Sequence, residues 1–178
     1  DFLKLLLEKR HFKIKINQFS YLMTEKILLL ADKSKAAQLL EKKLIAQYEN
    51  YLTKTISENV NIFAILVLGG DGFMLHSIHK YVDHNLPFYG INCGSLGFLL
   101  NEYNGDENII NKIKSAKKTD IHPLLMTSYG PKNEISKTLA FNDVSLLRET
   151  KQSAHIKVIT DGVCRLPKLV GDGILIAT

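Results

Sequence analysis

Short apolar runs alternate along the chain with stretches whose apolar residues recur every three or four positions. That alternation predicts strands and helices in turn. Residues 26–31, Lys-Ile-Leu-Leu-Leu-Ala, form a brief apolar run bounded by polar positions and predict a buried strand. Over residues 32–51 the apolar positions Ala36, Leu39, Leu40, Leu44 and Tyr48 keep helical spacing, with Asp32 or Ser34 available as N-cap. Residues 62–68 are apolar throughout, as befits a strand whose sheet is covered on both faces. Gly69-Gly70-Asp71-Gly72 breaks that strand, and residues 73–82 predict a helix through Met74, Leu75, Ile78 and Tyr81. A further strand is expected at 87–91, a glycine-punctuated loop at 92–100 and a helix at 106–115 through Ile109, Ile110 and Ile113. Strands alternating with helices argue for a parallel sheet with right-handed crossovers.

The pattern changes after Lys117-Lys118. Apolar runs at 124–126, 139–141, 144–147, 156–159, 163–166 and 174–176 are short and closely spaced, and Asp161-Gly162 between two of them is a strong hairpin signal. The expected fold class is therefore an α/β N-terminal domain with a parallel sheet, followed by the start of a β-rich, antiparallel C-terminal domain. The expected division is an N-terminal extension of unknown role at 1–24, an α/β nucleotide-binding domain at 25–119 and an incomplete β-rich domain at 120–178.

Composition narrows the function classes. The 178 residues carry a net charge of +5, which suits anionic ligands, but the lysines are scattered, with no stripe of the kind that tracks nucleic acid. Cys93 and Cys164 are far apart and match no zinc or redox spacing, so reduced thiols and a cytoplasmic setting are expected. No apolar run is long enough to span a membrane. The stretch around Leu5-Leu6-Leu7 lacks the basic start and small-residue cleavage site of a signal peptide, and Met23 stands nearer the expected start of the folded unit.

Four segments carry candidate chemistry. At Gly69-Gly70-Asp71-Gly72, glycines let the backbone turn sharply, the following helix offers free amides to phosphate or ribose oxygens, and Asp71 can accept a proton from a hydroxyl. The bland reading is a capped helix after a tight turn. At Gly90-Ile-Asn-Cys-Gly-Ser-Leu-Gly-Phe98, three glycines imply close packing around a ligand or another loop, with Asn92 able to bond a nucleotide edge. Asn142-Asp143 are polar neighbours inside an apolar run, costly unless paired or facing a ligand, and an amide beside a carboxylate can grip vicinal hydroxyls; a strand-edge bulge is the alternative. Gly171-Asp172-Gly173 alone reads as a turn.

Taken together, from residue 26 to the end, these segments and their order resemble the NAD kinase family. Gly-Gly-Asp-Gly alone is shared with diacylglycerol-type lipid kinases and phosphofructokinases, whereas the loop at 90–98 is much more specific. The resemblance implies phosphoryl transfer from ATP, or in some members polyphosphate, with a divalent cation, Mg²⁺ by expectation, to the 2′-hydroxyl of the adenosine ribose of NAD, giving NADP. It implies Asp71 as the catalytic proton acceptor, Gly72 beside it in the dinucleotide contact, Asn142 and Asp143 on the ribose hydroxyls, and Asp172 as a further NAD contact. Family members often carry Glu where Asp143 stands; the shorter side chain keeps the charge and loses reach. His76 falls where some members place a basic residue near the phosphates, and a plain helix-surface histidine is the competing reading. His155 is a further candidate at the border. The family pattern continues into a Gly-Ser-Thr-Ala-Tyr segment beyond the last residue here, so a truncated chain is expected, with the family's homo-oligomer in doubt for it. A non-catalytic dinucleotide-binding fragment and a lipid kinase remain the alternatives.

Overall fold

The computed structural model describes residues 4–9, 25–58, 60–95, 97–105 and 108–177. The chain divides into two compact units, Lys13–Asp120 and Asp1–Phe12 joined with Ile121–Thr178.

The first unit is built on a four-stranded parallel sheet. Strand β1 (Lys4–Lys9) belongs to the other unit. Here lie β2 (Lys26–Ala31), helix α1 (Lys35–Tyr48), the two-residue β3 (Leu52–Thr53), β4 (Ile62–Gly69), helix α2 (Asp71–Tyr81), β5 (Phe88–Asn92) and helix α3 (Ile109–Ser115). The strand order is β3-β2-β4-β5. All three pairings are parallel. The uniformly apolar 62–68 run is the core of the inner strand β4, and Ile65, Leu66, Val67 and Leu68 are fully buried. Removing a side chain such as Leu66 from such a site costs about 2–5 kcal/mol.

Two sequence expectations shift in this unit. Helix α1 is capped by Ser34, whose side chain accepts from the Ala37 amide, while Asp32 accepts from the Ser34 amide just before it. Its buried stripe is Ala37, Glu41, Leu44 and Tyr48, and Leu39 is 59 % exposed. The stripe includes a carboxylate because Lys54 lies 3.0 Å from Glu41 and neutralises it. Helix α2 starts at Asp71 rather than at Phe73, with Gly70 as N-cap. Asp71 is thus the first helical residue, held by the helix as well as by the turn. For the helix expected over 106–115, Asp106 and Glu107 lie outside the described residues; α3 is capped by Asn108, whose side chain accepts from the Ile110 and Asn111 amides.

The second unit is antiparallel throughout. It contains β6 (Leu124–Tyr129), β7 (Ile135–Ala140), β8 (Asp143–Leu147), β9 (Ala154–Thr160), β10 (Val163–Gly171) and β11 (Gly173–Ala177). The sheets are β1-β6-β7, β10-β9 and β11-β8. Asp161 and Gly162 form the expected hairpin turn, with φ of 52° and 75°, the left-handed pair that matches strand twist. Strand β10 shifts register on both sides of Leu166, where Pro167 has no amide hydrogen to give the ladder. Within the stretch read as an extension of unknown role, Lys4–Lys9 pairs along its full length with β6, Lys4 opposite Tyr129 and Lys9 opposite Leu124. An apolar triplet between charges is too short for a stable helix and suits an edge strand. Met23 lies outside the described residues.

Candidate active site

In the parallel sheet the chain runs from β2 outward to β3, then crosses to β4 and on to β5. The direction of winding therefore reverses between β2 and β4, and open α/β sheets bind ligands at the carboxyl ends of strands flanking such a reversal. Asp32 leaves β2 there, and its amide donates to Leu68 O at 2.9 Å. Gly69-Gly70-Asp71 leaves β4, and Asn92-Cys93 leaves β5, where the Cys93 amide donates to Gly69 O at 2.9 Å. Burial, and then the nearby Asp32 carboxylate, push the Cys93 thiol above its ordinary value.

The glycines at this edge fall into two groups. A Cβ on Gly69 would meet Phe73 Cδ1 at 2.9 Å, and one on Gly90 would meet Leu100 Cδ2 at 2.1 Å and Met74 Cε at 2.8 Å. These two are required by packing. A Cβ on Gly70 or on Gly72 would have nothing within 4 Å, so the space over them is open to a ligand.

Asp71 joins the two glycine-rich motifs directly. Its Oδ2 accepts from the Phe98 amide at 2.8 Å and its Oδ1 from the Leu99 amide at 3.0 Å. A Cβ on Gly97 would lie 3.3 Å from Asp71 Oδ1 and 3.4 Å from Asn92 Cγ, so the loop passes close to both side chains and a side chain at Gly97 would crowd Asp71 by a few tenths of an ångström. Asn92 itself accepts from the Gly94 amide at 2.9 Å, which turns the chain out of β5. A carboxylate offers about four lone-pair positions, and the two loop amides use two of them. His76 is exposed on α2, five positions beyond Asp71 and roughly 140° round the helix from it, so the two share no helix face.

In the second unit, Asn142 and Asp143 sit at the corner between β7 and β8, with Asp143 as the first residue of β8 and Asn142 exposed before it. Asn142 therefore precedes the strand and Asp143 opens it, and this corner position relieves the burial cost that the apolar run suggests. Asn142 Nδ2 donates to Asp143 Oδ1 at 3.4 Å. Asp172 is at the far end of the same ladder: Asp143 is opposite Ala177, and Leu147 is opposite Gly173. Asp172 lies one position beyond Gly173, level with Arg148, and so roughly 17 Å along the ladder from Asp143. The structure does not bring these two carboxylates together. His155 is exposed on β9, opposite Val170.

Sequence reasoning missed the partner of Asp172. Arg148 Nε donates to Asp172 Oδ1 at 2.6 Å, the Arg148 amide donates to Asp172 O at 2.8 Å, and a terminal nitrogen of Arg148 donates to Thr150 O at 2.8 Å. Asp172 and Arg148 line a wide depression of about 380 Å³ with Leu147, Glu149, Thr150 and Lys151. Only the β8–β11 register makes these neighbours. Among the described residues no three of His, Cys, Asp and Glu gather to hold a metal ion. No helix among the described residues is long and apolar enough to cross a membrane.

Comparison with known proteins gives the same family. The family profile described as ATP-NAD kinase N-terminal domain matches residues 2–115. The chain is 45 % identical over 118 residues to the NAD kinase of Caulobacter vibrioides, covering 66 % of this chain and 45 % of that protein. Against the NAD kinase of Rickettsia bellii it is 46 % identical over 114 residues, or 64 % of this chain and 44 % of that one. Against that of Rickettsia typhi the match extends to 156 residues at 39 % identity, 87 % of this chain and 58 % of the relative. The chain thus spans about half the length of the curated relatives it matches.

Proposed function

The chain belongs to the NAD kinase family, and on that premise we propose that the protein it represents transfers the γ-phosphoryl group of ATP to the 2′-hydroxyl of the adenosine ribose of NAD, giving NADP and ADP. The observation that carries the reading is Asp71: a carboxylate at the carboxyl edge of a parallel sheet, first in its helix, with each oxygen held by one loop amide. As the ribose oxygen attacks phosphorus, the bond from phosphorus to the bridging oxygen of ADP breaks. The hydroxyl proton passes to Asp71. Catalysis in such a reaction is mainly positioning and electrostatic stabilisation.

The other roles follow the same reading. The open backbone at Gly70 and Gly72 admits the substrate to the start of α2. Asn142 and Asp143 grip ribose hydroxyls, one side chain able to donate and accept, the other to accept. Asp172 supplies a further contact to NAD, with His76 as a basic group toward the phosphates. Mg²⁺ travels with the triphosphate, since that ion is usually held by substrate phosphates and one or two carboxylates rather than by an all-protein cage. A cytoplasmic setting and a homo-oligomer of the whole protein belong to the same proposal.

The test is acceptor choice. Full-length protein is incubated with Mg²⁺, γ-labelled ATP and either NAD or diacylglycerol. Label is expected in NADP. Label in phosphatidate, or in neither product, contradicts the proposal.

A further inference from the structure

We propose that the backbone amides of Phe98 and Leu99 are the positioning element for Asp71, so that the 97–99 segment sets the orientation in which the carboxylate meets the substrate hydroxyl. This rests on Asp71 being the proton acceptor. An aspartate at the start of a helix has two side-chain torsions to fix. Here one amide bonds each oxygen, at 2.8 and 3.0 Å, which sets the plane of the carboxylate as well as its direction. Bonds from N–H to an ionised carboxylate are charge-assisted and stronger than neutral ones.

The segment that provides these donors is itself anchored. The Asn101 amide donates to Gly90 O at 2.8 Å and the Asn92 amide to Asn101 O at 2.9 Å, a one-residue extension of the parallel sheet beside β5. Asn101 Nδ2 adds a bond to Gly90 O at 3.0 Å. Leu100 fills the space that a side chain on Gly90 would occupy. The tie to Asp71 is therefore made by main chain on a fixed strand end. The side chains at the same positions stay outside, Phe98 being 86 % and Leu99 40 % exposed. Proton transfer is sensitive to placement at this level, and a misplacement of roughly 1 Å costs about 100-fold in rate.

The experiment removes one donor at a time. In full-length protein the amide at position 98, and separately at 99, is replaced by an ester through nonsense suppression with the matching α-hydroxy acid. Each ester variant is expected to lower kcat for NADP formation about 10-fold while KM for NAD stays within about twofold. Wild-type kcat in both ester variants, or a raised KM with kcat held, overturns the inference. Gly97→Ala covers the case of an ester variant that does not fold. It keeps both donors and places a Cβ 3.3 Å from Asp71 Oδ1, and it should show the same loss in kcat; an unchanged kcat counts against the proposal. Asp71→Asn is run alongside. If that variant is near wild type, the proton-acceptor reading itself fails; if it is inactive while the loop variants are fully active, only the positioning role fails.

Discussion

Cys93 is a nucleophile by chemistry but not by environment. It sits at the end of β5 beside the sheet edge, half-buried and facing the charge of Asp32. Burial chiefly, and that carboxylate in second place, raise the thiol above its ordinary value of 9.0. In the folded chain the proton is then retained at a pH where the unfolded chain has lost it. The stabilising contribution is complete below about pH 9 and declines as pH rises from there toward the raised folded value. Thiolate is the reactive form. With a disulfide reagent at pH 8, Cys164, which is exposed, should react first, with Cys93 slower by about 10-fold or more. Equal rates at the two positions would contradict the placement of Cys93. At the same scale, Arg148 and Asp172 show what residue identity alone cannot reveal. They are 24 positions apart, and only the pairing of β8 with β11 makes them an ion pair. The Phe98 and Leu99 donors are hidden more deeply, because a backbone amide carries no mark of its residue type.

At the scale of elements, the strands of the parallel sheet were the most legible part. A strand covered on both faces needs an unbroken apolar run, and β2 has one over 27–31 and β4 over 62–68. Element edges were less legible where local chemistry decides them. Glycine at 72 argues against helix, yet α2 begins at Asp71, because the first turn needs no side-chain packing and Gly70 takes the extended N-cap conformation, with φ −110° and ψ 178°. The buried face of α1 departs from its apolar pattern for a related reason: Leu39 looks like core, but Glu41 occupies the core-facing stripe once Lys54 pairs with it. The two classes of glycine make a sharper test of how the elements fit. Gly90→Ala should destabilise by about 1–3 kcal/mol, since its Cβ would overlap Leu100 and Met74. Gly72→Ala should be within about 0.5 kcal/mol of wild type, because its Cβ points into open space. Urea denaturation of both variants checks this, and a Gly72→Ala variant as unstable as Gly90→Ala would show that the space over Gly72 is not open.

At the scale of the whole molecule, the change from helical to alternating pattern after Lys117-Lys118 corresponds to a real change of architecture, from a parallel sheet with helices to antiparallel ladders. The strand β1 was not legible, because three leucines between charges have no local signal strong enough to announce a partner more than a hundred positions away. The candidate residues are likewise shared between the two units, Asp71, Gly72 and His76 in one and Asn142, Asp143 and Asp172 in the other. Motif order proposes that set, while the bonds at Asp71, Asn142, Asp143 and Asp172 came only from the folded chain. The claim on which the proposed reaction stands is that Asp71 takes the proton of the ribose hydroxyl. Its most direct test is the rate of NADP formation by full-length Asp71→Asn beside wild type, at saturating ATP and NAD. An amide keeps the size and loses the base, and kcat should fall by about 100-fold or more. A rate within a few fold of wild type would contradict the account.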